Sequence, residues 1–293
     1  MPRMAVGSWA WVFGPYASHP LPLQQVAREV KAIGFDGLEL TGRPHAFPDD
    51  FPTLDQRRAL ARTLSDEGIA VASLGGPVGG GSPLVVEPTA YLESVRTYVG
   101  FCEDTHITSL RVSSGRLPAH LRVDDAFPRL IDTWRQAVEI ASRGPVRLLW
   151  EFEPNQFASR PHDVSRVVRS IDHPRFKVIF DLSHAHVVSV AGHGEPKPSE
   201  PLPGGVSAFI RLLVGQIGRL HLADTEGVVS ATGGSLRRQL GEGAVDFSSA
   251  LRTLSETGGG DDWWTLDLHG EEDATATARE AKLFMDKLAQ EAL

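Results

Sequence analysis

The sequence predicts an α/β chain closed into a (β/α)8 TIM barrel, and three observations carry that prediction. Eight short apolar runs recur along the 293 residues. Longer amphipathic stretches separate them, the pattern of parallel strands joined by crossover helices. The spacing also fits, because such barrels run to about 250 residues, or roughly 30 per unit.

In chain order the strand candidates are MAVGSWAW (4–11), DGLEL (36–40), IAVASL (69–74), SLRVSS (109–114), RLLWEF (147–152), FKVIFD (176–181), GRLHLA (218–223) and WWTLDL (263–268). The helix candidates span 23–33, 53–67, 91–105, 124–143, 163–170, 207–214, 247–256 and 274–289. An open doubly wound sheet would show a glycine-rich phosphate turn after an early strand. The one candidate, GGPVGGGSP (75–83), lacks G-x-G-x-x-G opening a helix and reads as a loop. One barrel domain over 1–293 is expected. Its rhythm is broken by two glycine- and proline-rich segments at about 191–205 and 223–243, both expected at the C-terminal rim, where substrates bind.

Bulk properties exclude some classes. The net charge is −8 and basic residues are scattered, which argues against a nucleic-acid or anionic-membrane surface. The single cysteine, Cys102, rules out an intrachain disulfide and a cysteine-based zinc site, and reads as a small buried hydrophobe. The N-terminus lacks the pattern of a signal peptide. No apolar run approaches the roughly 20 residues that span a bilayer. A cytoplasmic chain with a small-molecule partner is the expectation; no feature of the sequence selects an oligomeric state, so a homo-oligomer stays open.

Strand ends in a barrel converge on one mouth. Those positions hold Glu151, Asp181, His221 and Asp267, from strands five to eight. Each ends or interrupts an apolar run, where a lone charge carries a heavy desolvation cost. Singly, an Asp at a strand end is more often a helix cap, and a strand His a hydrogen-bonded core residue. Together, three carboxylates and one imidazole make a hard donor set for one divalent cation. The set favours Mn²⁺, Mg²⁺ or Co²⁺, and Zn²⁺ can also occupy it. Trp9, Trp11 and Tyr16, near the end of the first strand, are candidates for an apolar wall of the mouth. One of the two tryptophans is expected to point outward if the strand ends between them. Arg237 and Arg238 are candidates for reaching a phosphate or carboxylate.

The motifs AIGFDGLEL (32–40), EFEP, DLSHAH, HLAD and LGEGAVDF (240–247), in this order, resemble the xylose-isomerase-like TIM-barrel superfamily, specifically its sugar phosphate isomerase/epimerase branch. The resemblance implies that Glu151, Asp181, His221 and Asp267 hold one divalent metal. Asp267 departs from the usual Glu and reaches about one methylene less far. The resemblance also implies that His184 contacts the substrate, that Glu39 belongs to the pocket or its support, and that Asp224 orients His221. A lysine common just before that aspartate is replaced by Ala223.

The implied substrate is a polyhydroxy aldehyde or ketone. The implied chemistry is proton abstraction beside a carbonyl polarised by the metal, through an enediolate, with Glu151 and Asp267 as acid/base pair and His184 polarising a substrate oxygen. Lyases on the same scaffold, such as inosose-type dehydratases and C-glycoside-cleaving subunits, share that first step. A non-catalytic binding barrel is a third reading. Endonuclease-IV-type DNA repair is disfavoured, because Ser235 and Arg237 stand where that branch carries two of its metal-binding residues.

Overall fold

A computed structural model describes residues 1–230, 234–260 and 263–291. Eight parallel strands close a barrel: β1 (Arg3–Gly7), β2 (Gly37–Leu40), β3 (Ala70–Leu74), β4 (Ser109–Ser113), β5 (Arg147–Glu151), β6 (Phe176–Asp181), β7 (Ile217–Leu222) and β8 (Trp263–Leu266). Each pairs with its sequence neighbours, and β8 pairs with β1. Helices α1 (Leu23–Ile33), α2 (Leu54–Asp66), α3 (Pro88–Asp104), α4 (Val123–Ala141) and α5 (Pro161–Ile171) follow the first five strands.

Local chemistry sets their ends. Gly34 closes α1 in the left-handed region at φ 102°, and Thr53 with Gln56 forms a reciprocal capping box on α2. Trp134 on α4 packs against Trp150 of β5 and Phe176 of β6, with ring centroids 5.1 and 5.3 Å apart. This is the core between barrel and helices, and it holds the strand carrying Glu151 in place. Among the described residues, no helix is long and apolar enough to cross a membrane.

Three segments depart from the sequence expectation. The first strand stops at Gly7, and Ser8–Trp11 is a 3₁₀ turn. Trp9 folds back over Gly7 so closely that a Cβ there would lie 2.1 Å from its ring, which only glycine permits. Second, the chain directly after β6, which is not among the helix candidates, forms a short helix, α6 (Leu182–Ser189), capped by the Asp181 carboxylate accepting from His184 N at 2.7 Å. Helices α7 (Gly205–Leu212), α8 (Phe247–Thr257) and α9 (Ala274–Glu291) complete the outer ring.

Third, the two rim segments diverge. Residues 191–205 are stapled to the start of α5, where Glu195 N donates to Ser159 Oγ at 2.8 Å and Ser159 N to Glu195 O at 3.0 Å. They do not line the mouth cavity. Residues 223–243 instead contain an antiparallel hairpin, Asp224–Val229 with Ser235–Arg238, and this hairpin does border the cavity.

Candidate metal and active site

The four strand-end residues meet. One donor atom from each of Glu151, Asp181, His221 and Asp267 lies within 4.8 Å of all the others, and all four side chains are buried. Register brings this about: Asp181 on β6 sits directly beside His221 on β7, and His221 beside Thr265 on β8, two residues before Asp267.

The imidazole shows how the set is arranged for a cation. His221 Nε2 lies 3.0 Å from Glu39 Oε2, a hydrogen bond that fixes the ring. His221 Nδ1 lies 2.8 Å from Glu151 Oε1, yet it has no partner in hydrogen-bond geometry. Adjacent donors of an octahedral cation, each about 2.1 Å from it, stand roughly 3 Å apart. The Nδ1–Oε1 approach therefore matches two donors aimed at one point better than a bond between them. The residues fit a divalent cation, with Glu39 as the outer partner of the ligand imidazole.

Electrostatics in the cation-free protein point the same way. Burial opposes a charge on His221, but Glu39 and Glu151 outweigh it and raise its pKa to about 10. For Glu151, burial is outweighed by Arg111, whose Nη1 lies 2.7 Å from Oε2, and by His221, so its pKa falls well below the usual carboxylate range. Asp267 is likewise buried but held low by Arg237 and His269. It accepts from Trp9 Nε1 at 2.8 Å and lies 3.2 Å from His269 Nε2. Both carboxylates are thus ionised at neutral pH.

A cavity of about 590 Å³ opens over this cluster, within the size range of small-molecule sites. Glu151, Asp267, His184 and Arg237 line it, as the sequence reading expects of residues at the mouth. His184 Nδ1 is within hydrogen-bonding reach of Ser235 Oγ, so the rim hairpin positions that ring. Arg237 spans the metal carboxylates, 3.3 Å from both oxygens of Asp181 and paired with Asp267. Its neighbour Arg238 points outward to Glu226, as successive strand residues must.

Other expected substrate contacts lie behind the cavity. Glu39 is fully buried against His221 and does not reach the lining. Trp11 is sealed in the core, its Nε1 donating to Thr275 Oγ1 at 3.1 Å. Trp9 holds Asp267 and stacks on His269, with ring centroids 5.8 Å apart, instead of offering a face to the cavity. Half-buried Tyr16 accepts from Ala274 N. His186 packs beneath the hairpin at Gly227, outside the cavity.

Asp224 does not orient His221. Its two oxygens accept backbone N–H groups from Thr225, Gly241, Gly243 and Val245 at 2.8–3.1 Å, so it ties down the LGEG turn. Gly243 is required there, since a Cβ would lie 2.2 Å from the carboxylate. Asp224→Ala would leave four inward-facing amides without an acceptor. It should lower the unfolding free energy by about 3 kcal/mol or more, read from the urea midpoint at unchanged slope.

Arg111, Glu153 and His269 border the cavity and were not singled out in the sequence. Arg111 interrupts an apolar strand as the metal residues do, so the same criterion applied to β4 finds it. For Glu153, burial raises the carboxyl pKa, with His184 acting against the shift and Glu151 adding to it.

Three carboxylates and an imidazole that could hold a cation thus converge at the C-terminal mouth of a closed parallel barrel. The sequence matches the family described as "Xylose isomerase-like TIM barrel" over residues 27–288, and the chain belongs to that family. A relative from Shigella flexneri serotype 5b (strain 8401), L-ribulose-5-phosphate 3-epimerase UlaE, is 24% identical over 240 residues, covering 79% of this chain and 77% of the relative. Among solved structures, an L-ribulose 3-epimerase superposes with TM-score 0.73 at 18% identity, covering 100% of this chain and 96% of the other. An IolI protein with a bound zinc atom gives TM-score 0.74 at 15% identity, covering 99% and 97%. At these identities the structural matches speak to the fold.

Proposed function

We propose that the chain is a divalent-cation-dependent isomerase or epimerase of a sugar or keto-sugar, moving one proton beside a carbonyl through an enediolate. One observation carries this reading. Glu151 and Asp267, both ionised, enter the same cavity from β5 and from beyond β8, with β6 and β7 between them. Two carboxylates facing a common space from different walls are what a transfer between the two faces of a planar carbon needs. The relatives named above as sugar epimerases support the same class.

Glu151, Asp181, His221 and Asp267 would hold the cation. When bound, it supplies Lewis-acid polarisation of a carbonyl and its neighbouring hydroxyl, with Mn²⁺ the expected ion and Mg²⁺, Co²⁺ or Zn²⁺ compatible with the donors. Glu151 takes the substrate proton, its low pKa keeping it in the basic form. Return of that proton by Glu151 to the adjacent carbon gives isomerisation. Epimerisation needs Asp267 first to take a proton from solvent through exposed His269, 3.2 Å away, and to deliver it on the opposite face, while Glu151 afterwards gives the abstracted proton up to water. His184 polarises a substrate oxygen while Ser235 fixes its ring.

The test is incubation with ketoses, inososes and 3-keto-glycosides in D₂O with Mn²⁺. Deuterium at a carbon beside a carbonyl is the expected result, together with about one divalent ion per purified chain. Loss of water or aglycone would identify a lyase that uses the same first step. A protein that stays empty on Mn²⁺ addition would end the metal reading, and absence of exchange across the panel would end the catalytic one.

A further inference from the structure

We propose that this site takes its sugar unphosphorylated, and that Glu153 is the residue that selects it. The proposal rests on the function proposed above and adds the substrate's charge class. Glu153 stands two residues beyond Glu151, on the cavity wall. Its Oε1 accepts from Gln156 Nε2 at 2.6 Å, and Gln156 Oε1 accepts from Ser113 Oγ at 2.8 Å. Gln156 N also donates to Glu153 O at 2.9 Å, so backbone and side chain are fixed together. Oε2 is left toward the cavity beside Gly234 and His184: a Cβ on Gly234 would lie 3.9 Å from Oε2 and 3.7 Å from His184 Cε1. Among the described residues, no cationic side chain lies within ion-pair distance of Glu153 and Gln156 is its hydrogen-bond partner.

Uncommitted arginines or lysines are the strongest attraction a site can offer a phosphate, and both arginines lining this cavity are committed. Arg111 is engaged by Glu151 and lies over Trp9, while Arg237 is engaged by Asp181 and Asp267. The remaining acidic groups at the opening are Glu153 and Glu271. The sequence between Ser230 and Gly234, Ala-Thr-Gly, contributes no charged side chain. Arg111, Arg219, Arg237 and a divalent cation together fall short of the six carboxylates Glu39, Glu151, Glu153, Asp181, Asp267 and Glu271. A dianionic ester would enter an already anionic site and meet a carboxyl oxygen first. A hydroxyl there finds an acceptor in Glu153 and a second polar partner in His184.

The experiment compares pentuloses with their 5-phosphates in the Mn²⁺-loaded protein by deuterium exchange. Binding of a pentitol, its 5-phosphate and inorganic phosphate is measured by calorimetry in parallel. Wild type should favour the free sugar by about tenfold or more in kcat/KM. Glu153→Gln, which keeps the shape and removes the charge, should shrink that ratio several-fold through the KM of the ester. Glu153→Lys should reverse it. Preference of the wild type for the ester, or a ratio that neither variant moves, overturns the proposal. If no sugar of either kind exchanges deuterium, the function proposed above fails, and tighter binding of the pentitol phosphate than of the pentitol would then refute the selection by itself.

Discussion

Glu151→Gln should slow deuterium incorporation at saturating Mn²⁺ by about 10²- to 10⁴-fold, the range over which a positioned general base contributes. The amide keeps the side chain's size and one donor oxygen but cannot accept a proton at neutral pH. The native group can, because it is ionised: Arg111 and His221 keep it in the carboxylate form against the cost of burial. The two roles of Glu151 separate experimentally. A lost ligand appears as a higher Mn²⁺ requirement and is recovered by adding the ion; a lost base remains at saturation. Exchange that recovers fully at high Mn²⁺ would remove Glu151 from the proton transfer and leave it as a ligand.

The second large effect is on cation affinity with pH. His221 carries a proton in the cation-free protein up to about pH 10, and a cation must take the place of the Nδ1 proton. Affinity should therefore rise about tenfold per pH unit, roughly a hundredfold between pH 6 and 8, with one proton released per ion. Calorimetry in buffers of different ionisation enthalpy reads that proton directly, and a pH-independent affinity over this range would contradict the assignment. The stability of the cation-free protein runs the other way. Because the folded pKa of His221 is raised above 6.5, its contribution is fully present below that value and is lost as pH rises through about 10. Glu39 and Glu151, both lowered, contribute above their ordinary value of 4.5 and lose that contribution on acidification. Cation-free protein should thus be steadiest between about pH 5 and 6.5 as far as these groups decide it. Adding the cation should extend stability most on the alkaline side.

The barrel strands are legible because each is an apolar run of a few residues bounded by polar chain, and that signal survives without knowledge of the neighbours. The four clustered strand-end residues are legible for a related reason: a charge at the end of such a run is costly unless something shares it. Arg111 and Arg219 meet the same criterion inside SLRVSS and GRLHLA. What hides them is that guanidinium groups suggest surface or phosphate, whereas here they neutralise carboxylates from inside. Glu153 carries no comparable signal, since a Glu in a proline-bounded loop looks like any solvated side chain. Its surroundings come from Gln156, Ser113 and a hairpin about 80 residues away.

Short elements are misread for want of period. α6 is buried on nearly every side, its serines and histidines included, so it shows no amphipathic stripe. The run through Trp9 and Trp11 stays apolar past the true end of β1, and only the approach of the indole to Gly7 marks where the strand stops. Asp181 shows that capping a helix does not take a carboxylate out of such a cluster: one oxygen receives His184 N while the group stays within reach of Glu151, His221 and Asp267.

The anchoring of Asp224 has a consequence for how such a barrel can diversify. The segment bearing the hairpin leaves β7 at Asp224 and returns through Gly241, Gly243 and Val245, and one carboxylate grips both its exit and its return. The segment is thus a module tied at its neck. Insertions or deletions beyond the neck cost little in loop entropy and transmit no length change to His221, three residues before the knot. The hairpin side of the mouth can be exchanged as a cassette, while the carboxylates and imidazole set on the strands stay in register.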